Sequence, residues 1–528
     1  MRRSAAIVGC SAVVSVLSAW LPASASAAPQ QAGATTPPLH VWNTQAQATG
    51  TRSVRLTTDI QESQVSGPGT LVVDWGDGQQ STLDYTDDAS RWMPAAFAHS
   101  YAQPGVYTVK VTASEGNQTA SQQVSVTTRG SEFFPVGPSR VLDTRTGKGT
   151  GIAARVTSGW TVTIDPATFP GRPSGPLSAV VLNLTAVTPS GNGYVTAWSD
   201  ISGSRPSSSS LNYLAGQTRA NTVTVPVGPD GKIHLYNQGG TVDLLADVEG
   251  YYAVQHGQGY HPLVPVRLLD TRTAFNGRAA AKVPGRGSTT FTVAGTSHVP
   301  TQGATAVALN LTETGSTAPG FVTAYPDGTA LPQASNLNFG ARQDVPNLVI
   351  VPLGKDGKVR LFNGSGRAID VVADIEGYYT STPGLDFVPA QLAPGGLPTT
   401  NPAPIAATRI LDTRTGLSWQ NHVPKGRLGA HKALSMLVPA FLNEDAPAQA
   451  LVLNLTTVNP DANGWLWVDY LDQSAAQATS GANYVAHRAV SNGFMAITEG
   501  NPRGIELSFA NVSPGSTDLV ADVAGYFA

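Results

Sequence analysis

The sequence has one cysteine in 528 residues, Cys10, and it falls in an apolar N-terminal stretch that reads as a removable export signal. A chain processed there keeps no thiol. Disulfides and thiolate metal sites are excluded, and its domains must hold by core packing alone. Charge is equally scarce: Asp, Glu, Lys and Arg make up 13 % of the residues and the net charge is −3, with no basic stripe and no acidic tail. That pattern excludes the electrostatic footprint of a nucleic-acid binder. Also missing are His-Glu-x-x-His, Gly-x-Ser-x-Gly and a Walker loop, so no common catalytic motif is present. The nine histidines are scattered; His256 and His261 read as linker residues without further metal ligands around them. After the first 28 residues no long apolar run recurs, so no transmembrane segment is expected once the signal is cleaved.

What is present begins with that signal. Arg2 and Arg3 precede the apolar run Ala5 to Leu21, and Ala23-Ser-Ala25 and Ala25-Ser-Ala27 offer small-residue cleavage sites. Residues 1–28 are therefore read as a signal peptide, with a retained membrane anchor as the alternative. The expected location is secreted or extracellular, possible envelope association included. Too little apolar sequence precedes Cys10 for a lipoprotein box. Residues 29–39, rich in Pro, Gln, Gly and Thr, read as a linker. Beyond it, 55 Gly, 38 Pro and short alternating runs of Val, Thr and Ser predict an all-β chain of short strands and tight turns.

Residues 40–128 carry Asp74-Trp-Gly-Asp-Gly78, then His99-Ser-Tyr101, then Pro104-Gly-Val-Tyr-Thr-Val109. This order of motifs resembles the PKD domain family. The resemblance implies an immunoglobulin-like β-sandwich of extracellular proteins, often a spacer or adhesion module. Asp74 and Asp77 suit turn capping, with a weak calcium site as the sharper alternative. Trp75 reads as a core aromatic rather than a sugar platform.

The rest of the chain is organised by repetition. Arg140-Val-Leu-Asp-Thr-Arg-Thr146 returns as Arg267 to Thr273 and as Arg409 to Thr415. Each copy closes on a second motif: Asp247 to Tyr252, Asp374 to Tyr379, and Asp522 to Phe527. Asp143 and Asp270 stand 127 residues apart, a period that means whole domains in tandem, not a solenoid. About eight strands per copy predict β-sandwich or jelly-roll-like modules over 134–253, 261–380 and 405–528, with a Pro- and Gly-rich linker at 381–404. The Arg-Leu-Leu-Asp-Thr-Arg start, the Asn-Leu-Thr middle (Asn183, Asn310, Asn454) and the Asp-Val-x-Gly-Tyr-Phe end resemble a repeat of secreted actinobacterial proteins. The resemblance implies secretion and an accessory role, and brings no established ligand with it.

Comparing the copies separates fastening from function. Asp143/Arg145, Asp270/Arg272 and Asp412/Arg414 persist in all three and are expected to form structural ion pairs, side by side on one strand face, with a ligand clamp as the other reading. Asn221, Asn347 and Asn492 are expected to tie backbone groups together. Asp243/Asp247, Asp370/Asp374 and Asp518/Asp522 lie too far apart along a strand for one acid/base pair, and offer a possible calcium role with other loops. The aromatics that differ between copies are the ligand candidates: Tyr194 and Trp198, Phe321 and Tyr325, Trp465 and Trp467. Each set alternates onto one strand face, either as a sugar-stacking stripe or partly as core. The expected function is non-catalytic, multivalent binding to an extracellular polysaccharide or cell-wall polymer, with no cofactor beyond possible calcium. The alternative is a structural spacer or a self-associating surface protein that contacts other surface proteins; a cryptic hydrolase ranks last.

Overall fold

The computed structural model describes residues 38–61, 68–86, 92–199, 205–228, 230–390, 407–418, 423–438, 448–469, 479–498 and 505–528. The expected signal peptide, most of the 29–39 linker and much of the 381–404 linker lie outside them. The described chain is β-sheet almost throughout, as the composition predicts, and among the described residues no helix is long and apolar enough to cross a membrane.

The N-terminal domain packs a three-stranded sheet (His40–Ala48, Ser53–Gln61, Trp92–Ser100) on a four-stranded one in the order Gln80–Thr86, Pro68–Asp74, Val106–Glu115, Gln118–Thr127. Alternating burial along Ser53–Gln61 puts Val54, Leu56 and Ile60 inward, as a period of two requires. Trp75 is fully buried, stacks on His99 at 4.7 Å between ring centres, and its carbonyl accepts the Tyr101 hydroxyl at 3.0 Å. It is a core residue.

Each repeat is an eight-stranded sandwich. In the first module the inner sheet runs Arg219–Pro226, Leu177–Val187, Asp243–Ala253, Glu132–Asp143, and the outer sheet runs Leu211–Tyr213, Gly193–Trp198, Ile233–Gln238, Thr161–Ile164. Counted along the module these orders are 6-3-8-1 and 5-4-7-2, the jelly-roll arrangement, and the second and third modules repeat it. The opening and closing motifs are neighbours because the first and last strands pair: Asp247 lies opposite Arg140, Asp374 opposite Arg267, and Asp522 opposite Arg409.

The third module corrects a boundary. Phe387–Pro389, inside the stretch expected to be linker, is a strand paired with Asp518–Phe527, and Phe387 is fully buried. It takes the place that Phe133 and Tyr260 hold in the other modules. Among the described residues the first strand of this module thus comprises Phe387–Pro389 and Thr408–Asp412, and the Pro/Gly composition does not mark the domain edge. His261, read as linker, lies in the strand Gly259–Asp270.

The three modules are not strung out in tandem. Their inner sheets are buried on both faces. One face fills each sandwich; the other meets the neighbouring modules in a shared core that includes Val181, Tyr252, Tyr260, Ile350, Tyr379, Val452 and Phe527. Near-continuous apolar runs such as Ala179-Val-Val-Leu182 are what a doubly covered strand needs. The strands Arg219–Pro226, Val345–Pro352 and Val490–Ile497 meet one another at the centre. There the repeated asparagines close a ring. Asn221 donates to Asn454 at 2.9 Å, Asn347 to Asn183 at 3.0 Å, and Asn492 to Asn310 at 3.2 Å, so each module bonds the one before it and the first bonds the third. Further contacts run back the opposite way: Thr222 N–H donates to Asn347 and Gly493 N–H to Asn221. Buried amides without such partners would be costly, so the ring specifies how the modules fit.

The N-terminal domain docks on this head through Arg52. Its guanidinium forks onto Asp386 (2.7 and 2.6 Å) and reaches Glu132 at 3.2 Å, while Gly130 N–H donates to the Thr51 carbonyl at 2.8 Å.

Candidate functional site, a cleft at the module boundaries

The Asp-Thr-Arg motif sits at the end of each module's first strand. Arg145 donates from Nε and Nη2 to Asp143 at 2.9 and 2.7 Å, and its backbone N–H caps Asp143 Oδ1 at 3.0 Å. The expected pair forms, but strand alternation is not its cause: residues 144–147 are a turn, and the pair is turn chemistry. Arg272 on Asp270 and Arg414 on Asp412 repeat the geometry. The intervening threonine also works. Thr144 Oγ1 accepts Leu244 N–H at 3.0 Å and donates to Asp243 at 3.3 Å.

The motif's first arginine was the residue sequence reasoning passed over. Arg140 donates to both oxygens of Asp247 (2.6 and 3.1 Å), to Asp143 at 3.4 Å, and to the Gln333 carbonyl of the second module at 3.4 Å. Arg267 on Asp374 and Arg409 on Asp522 match it. The signal was available: Arg140, Arg267 and Arg409 recur as faithfully as the arginines five residues on. The two aspartates of each network differ in electrostatics. Hydrogen bonds from Arg145 and Arg272 hold Asp143 and Asp270 below the usual carboxylate range; at Asp412 burial opposes the shift, yet the Arg414 hydrogen bond and charge still bring it down. Burial pushes Asp247, Asp374 and Asp522 up, against the pull of their arginines.

These contacts account for the carboxylates considered for calcium. Asp247, Asp374 and Asp522 are held by arginines, Asp370 by Lys282 and Asp243 by Arg155 at 3.3 Å. In the N-terminal domain Asp74 caps Gly76 N–H at 2.9 Å, while Asp77 caps Gln79 N–H at 3.0 Å and pairs with His99 at 2.8 Å. Among the described residues no group of three or more His, Cys, Asp or Glu is placed to hold a metal ion.

The aromatic candidates divide. Trp198 and Tyr325, read either as part of a sugar-stacking stripe or as core, are each only 5 % exposed. Trp198 packs with Tyr236, whose other face carries the Arg205 guanidinium at 3.6 Å. Strand alternation put them on the right face, but that face is roofed by neighbouring side chains. Tyr194, Phe321, Trp465 and Trp467 stay half-buried. Three of these hold one register position: Tyr194 opposite Asn212, Phe321 opposite Asn338, Trp465 opposite Asn483.

Phe321 lines a cleft of about 310 Å³ where the first and second modules meet, together with Arg140, Arg145, Thr185, Gln333 and Asn338. The ring lies over Gly364, where any Cβ would come within 2.2 Å of it, so this glycine sets its pose. The contact that shapes the cleft floor recurs at every boundary: Asn183 donates to the Ser335 carbonyl, Asn310 to that of Ser480, and Asn454 to that of Ser209 at 2.7 Å. A larger hollow of about 500 Å³ lies in the second module beside Phe275, Arg278 and Lys358, away from the repeated motif. Its Arg278 is tied to the Thr290 carbonyl at 2.5 Å and its Asp327 to Arg360 at 2.6 Å.

No family model matches the sequence, and no curated protein matches it. Among solved structures, the atomic structure of the Sulfolobus Turreted Icosahedral Virus is similar over 75 % of this chain and 91 % of that chain, at 11 % identity and a TM-score of 0.15, a level at which the likeness carries no argument.

Proposed function

We propose that this chain is a secreted, non-catalytic protein that holds a repetitive extracellular glycan or cell-wall polymer in clefts at its module boundaries. The observation that carries the reading is the cleft where Phe321 of the second module meets Arg140 and Arg145 of the first, built on motifs that recur at the other two boundaries. An aromatic face suits a sugar ring, and guanidinium N–H groups suit its hydroxyls. Arg145 spends Nε and Nη2 on Asp143 and is 45 % exposed, which leaves it capacity to bond a ligand. The ring of modules fixes the spacing of the three positions, so weak contacts on one polymer add up through effective concentration. The signal segment and the PKD-like and repeat resemblances support an extracellular setting. The carboxylates of the repeated motifs are engaged by arginines, lysines and threonine, an arrangement suited to fastening rather than proton transfer.

The spacer reading is favoured by a different observation, the firm docking of the N-terminal domain through Arg52. Retention of the chain lacking residues 1–28 on peptidoglycan, chitin and cellulose separates the two. Binding to one polymer, weakened at least about 100-fold in a Tyr194→Ala/Phe321→Ala/Trp465→Ala variant and kept in Trp198→Phe, is the expected result. No retention on any of them selects the spacer. Turnover of any polymer overturns the non-catalytic reading.

A further inference from the structure

Where the three modules meet, a small pocket is lined by Gln217, Arg219, Gln343, Asp344, Asn483 and Arg488. Its free volume is about 20 Å³, room for one water-sized occupant. Two guanidiniums share it. Arg488 donates to Gln217 at 3.4 Å. The Arg219 guanidinium makes no hydrogen bond or ion pair with any described residue, and the side chain is part-buried. Burial, and then the nearby positive charge of Arg488, pull its pKa down to about 10. The one carboxylate in the lining does not offset this: Asp344 accepts the Thr314 hydroxyl at 2.5 Å, and its field falls on Arg272 and Glu313. Two like charges brought close together, with one of them unpaired, repel unless a counter-charge is supplied.

We infer that this cavity is a site for one small monovalent anion of the halide class, held between Arg219 and Arg488 with amide N–H groups completing its shell. The two cations are not part of the repeat. Gln217, Gln343 and Arg488 occupy one position of the repeat, and Arg219, Val345 and Val490 another. The fold does not require arginine at these positions, so the pair is a local addition at a place where all three modules touch. An anion there bridges the first module to the third and locks the ring.

Two measurements on the chain lacking residues 1–28 test this. Thermal unfolding is followed from low salt to about 0.5 M sodium chloride or bromide, against sodium gluconate, whose anion is too large for the cavity. The halides should raise Tm by about 2–4 °C beyond gluconate, and Arg219→Gln should abolish the difference. Crystals soaked in bromide should show an anomalous peak between the two guanidiniums. Absence of that peak, or a halide effect that persists in Arg219→Gln, overturns the assignment. If Arg219→Gln does not fold, the bromide position alone decides.

Discussion

Arg140 grips Asp247 with both prongs of its guanidinium, Nε to Oδ1 at 2.6 Å and Nη2 to Oδ2 at 3.1 Å, across 107 residues of chain. The first motif of a module is thereby bonded to its last. Asp247 is 1 % exposed, so its charge has no recourse to water.

That asymmetry gives the first prediction. Arg140→Ala leaves Asp247 buried and unpaired, and should cost about 3–5 kcal/mol. Arg145→Ala removes the more conspicuous arginine of the motif, but its partner keeps contacts with Arg140 and the exposed side chain is screened, so it should cost about 1 kcal/mol or less. Denaturant unfolding of the two variants compares them directly; equal losses would contradict the network described here.

Glu249 supplies a pH dependence. It accepts Asn336 Nδ2 at 2.7 Å and Ile350 N–H at 3.2 Å across the boundary of the first and second modules, and burial, opposed by these bonds, pushes its pKa up to about 8. A carboxyl raised in the folded state binds its proton there while the unfolded chain has released it. Stability is therefore fullest below the unfolded value and declines as pH rises from about 4.5 toward 8. This one group can contribute a slope of up to about 1.4 kcal/mol per pH unit. Glu249→Gln should show a shallower decline than the unaltered chain over that window. Glu376 and Glu313 are displaced in the same direction, so part of the slope should remain.

The third boundary lacks this group. Where the other modules have Glu249 and Glu376, the third has Ala524, and a void of about 20 Å³ lies beside it, lined by Ser210, Thr224 and Leu348 among others. In the equivalent places the carboxyls receive Ile350 N–H and Met495 N–H. Ala524→Glu should therefore be accepted at pH 5, with Tm within about 2 °C of the parent, and should lose ground at pH 8 as the buried carboxyl is forced to ionise. A large loss at pH 5 would show that the void cannot receive a carboxyl.

The modules could be read from sequence because their motifs repeat in order, and the strands because glycine, proline and alternation punctuate them. The Asp143/Arg145 pair was legible for a related reason, its two residues being near neighbours. Arg140 with Asp247 was not, because only the pairing of first and last strands brings them together. The ring was hidden for a different physical reason. Apolar runs such as Ala179 to Leu182 declare a strand covered on both faces, but they do not say whether the second cover is a helix, another sheet or a sister module. Whether Trp198 and Tyr325 were ligand candidates or core stayed open on the same point, since alternation assigns a face and says nothing of its roof. Phe387 was lost in its surroundings, one buried strand residue amid prolines and glycines.

The strand Asp518–Phe527 lies between Ala450–Val458 on one side and Phe387–Pro389 and Thr408–Asp412 on the other, and Ala528 exchanges backbone hydrogen bonds with Asp386 at 3.1 Å in each direction. Its Phe527 belongs to the core shared by all three modules. This placement dictates an order of events during synthesis. The first two sandwiches can form as they emerge, yet their outward apolar faces, Val181 and Ile350 among them, have no complete cover until Phe527 has left the ribosome. The ring closes last, and until then the nascent head is sticky on the surface that will become its centre.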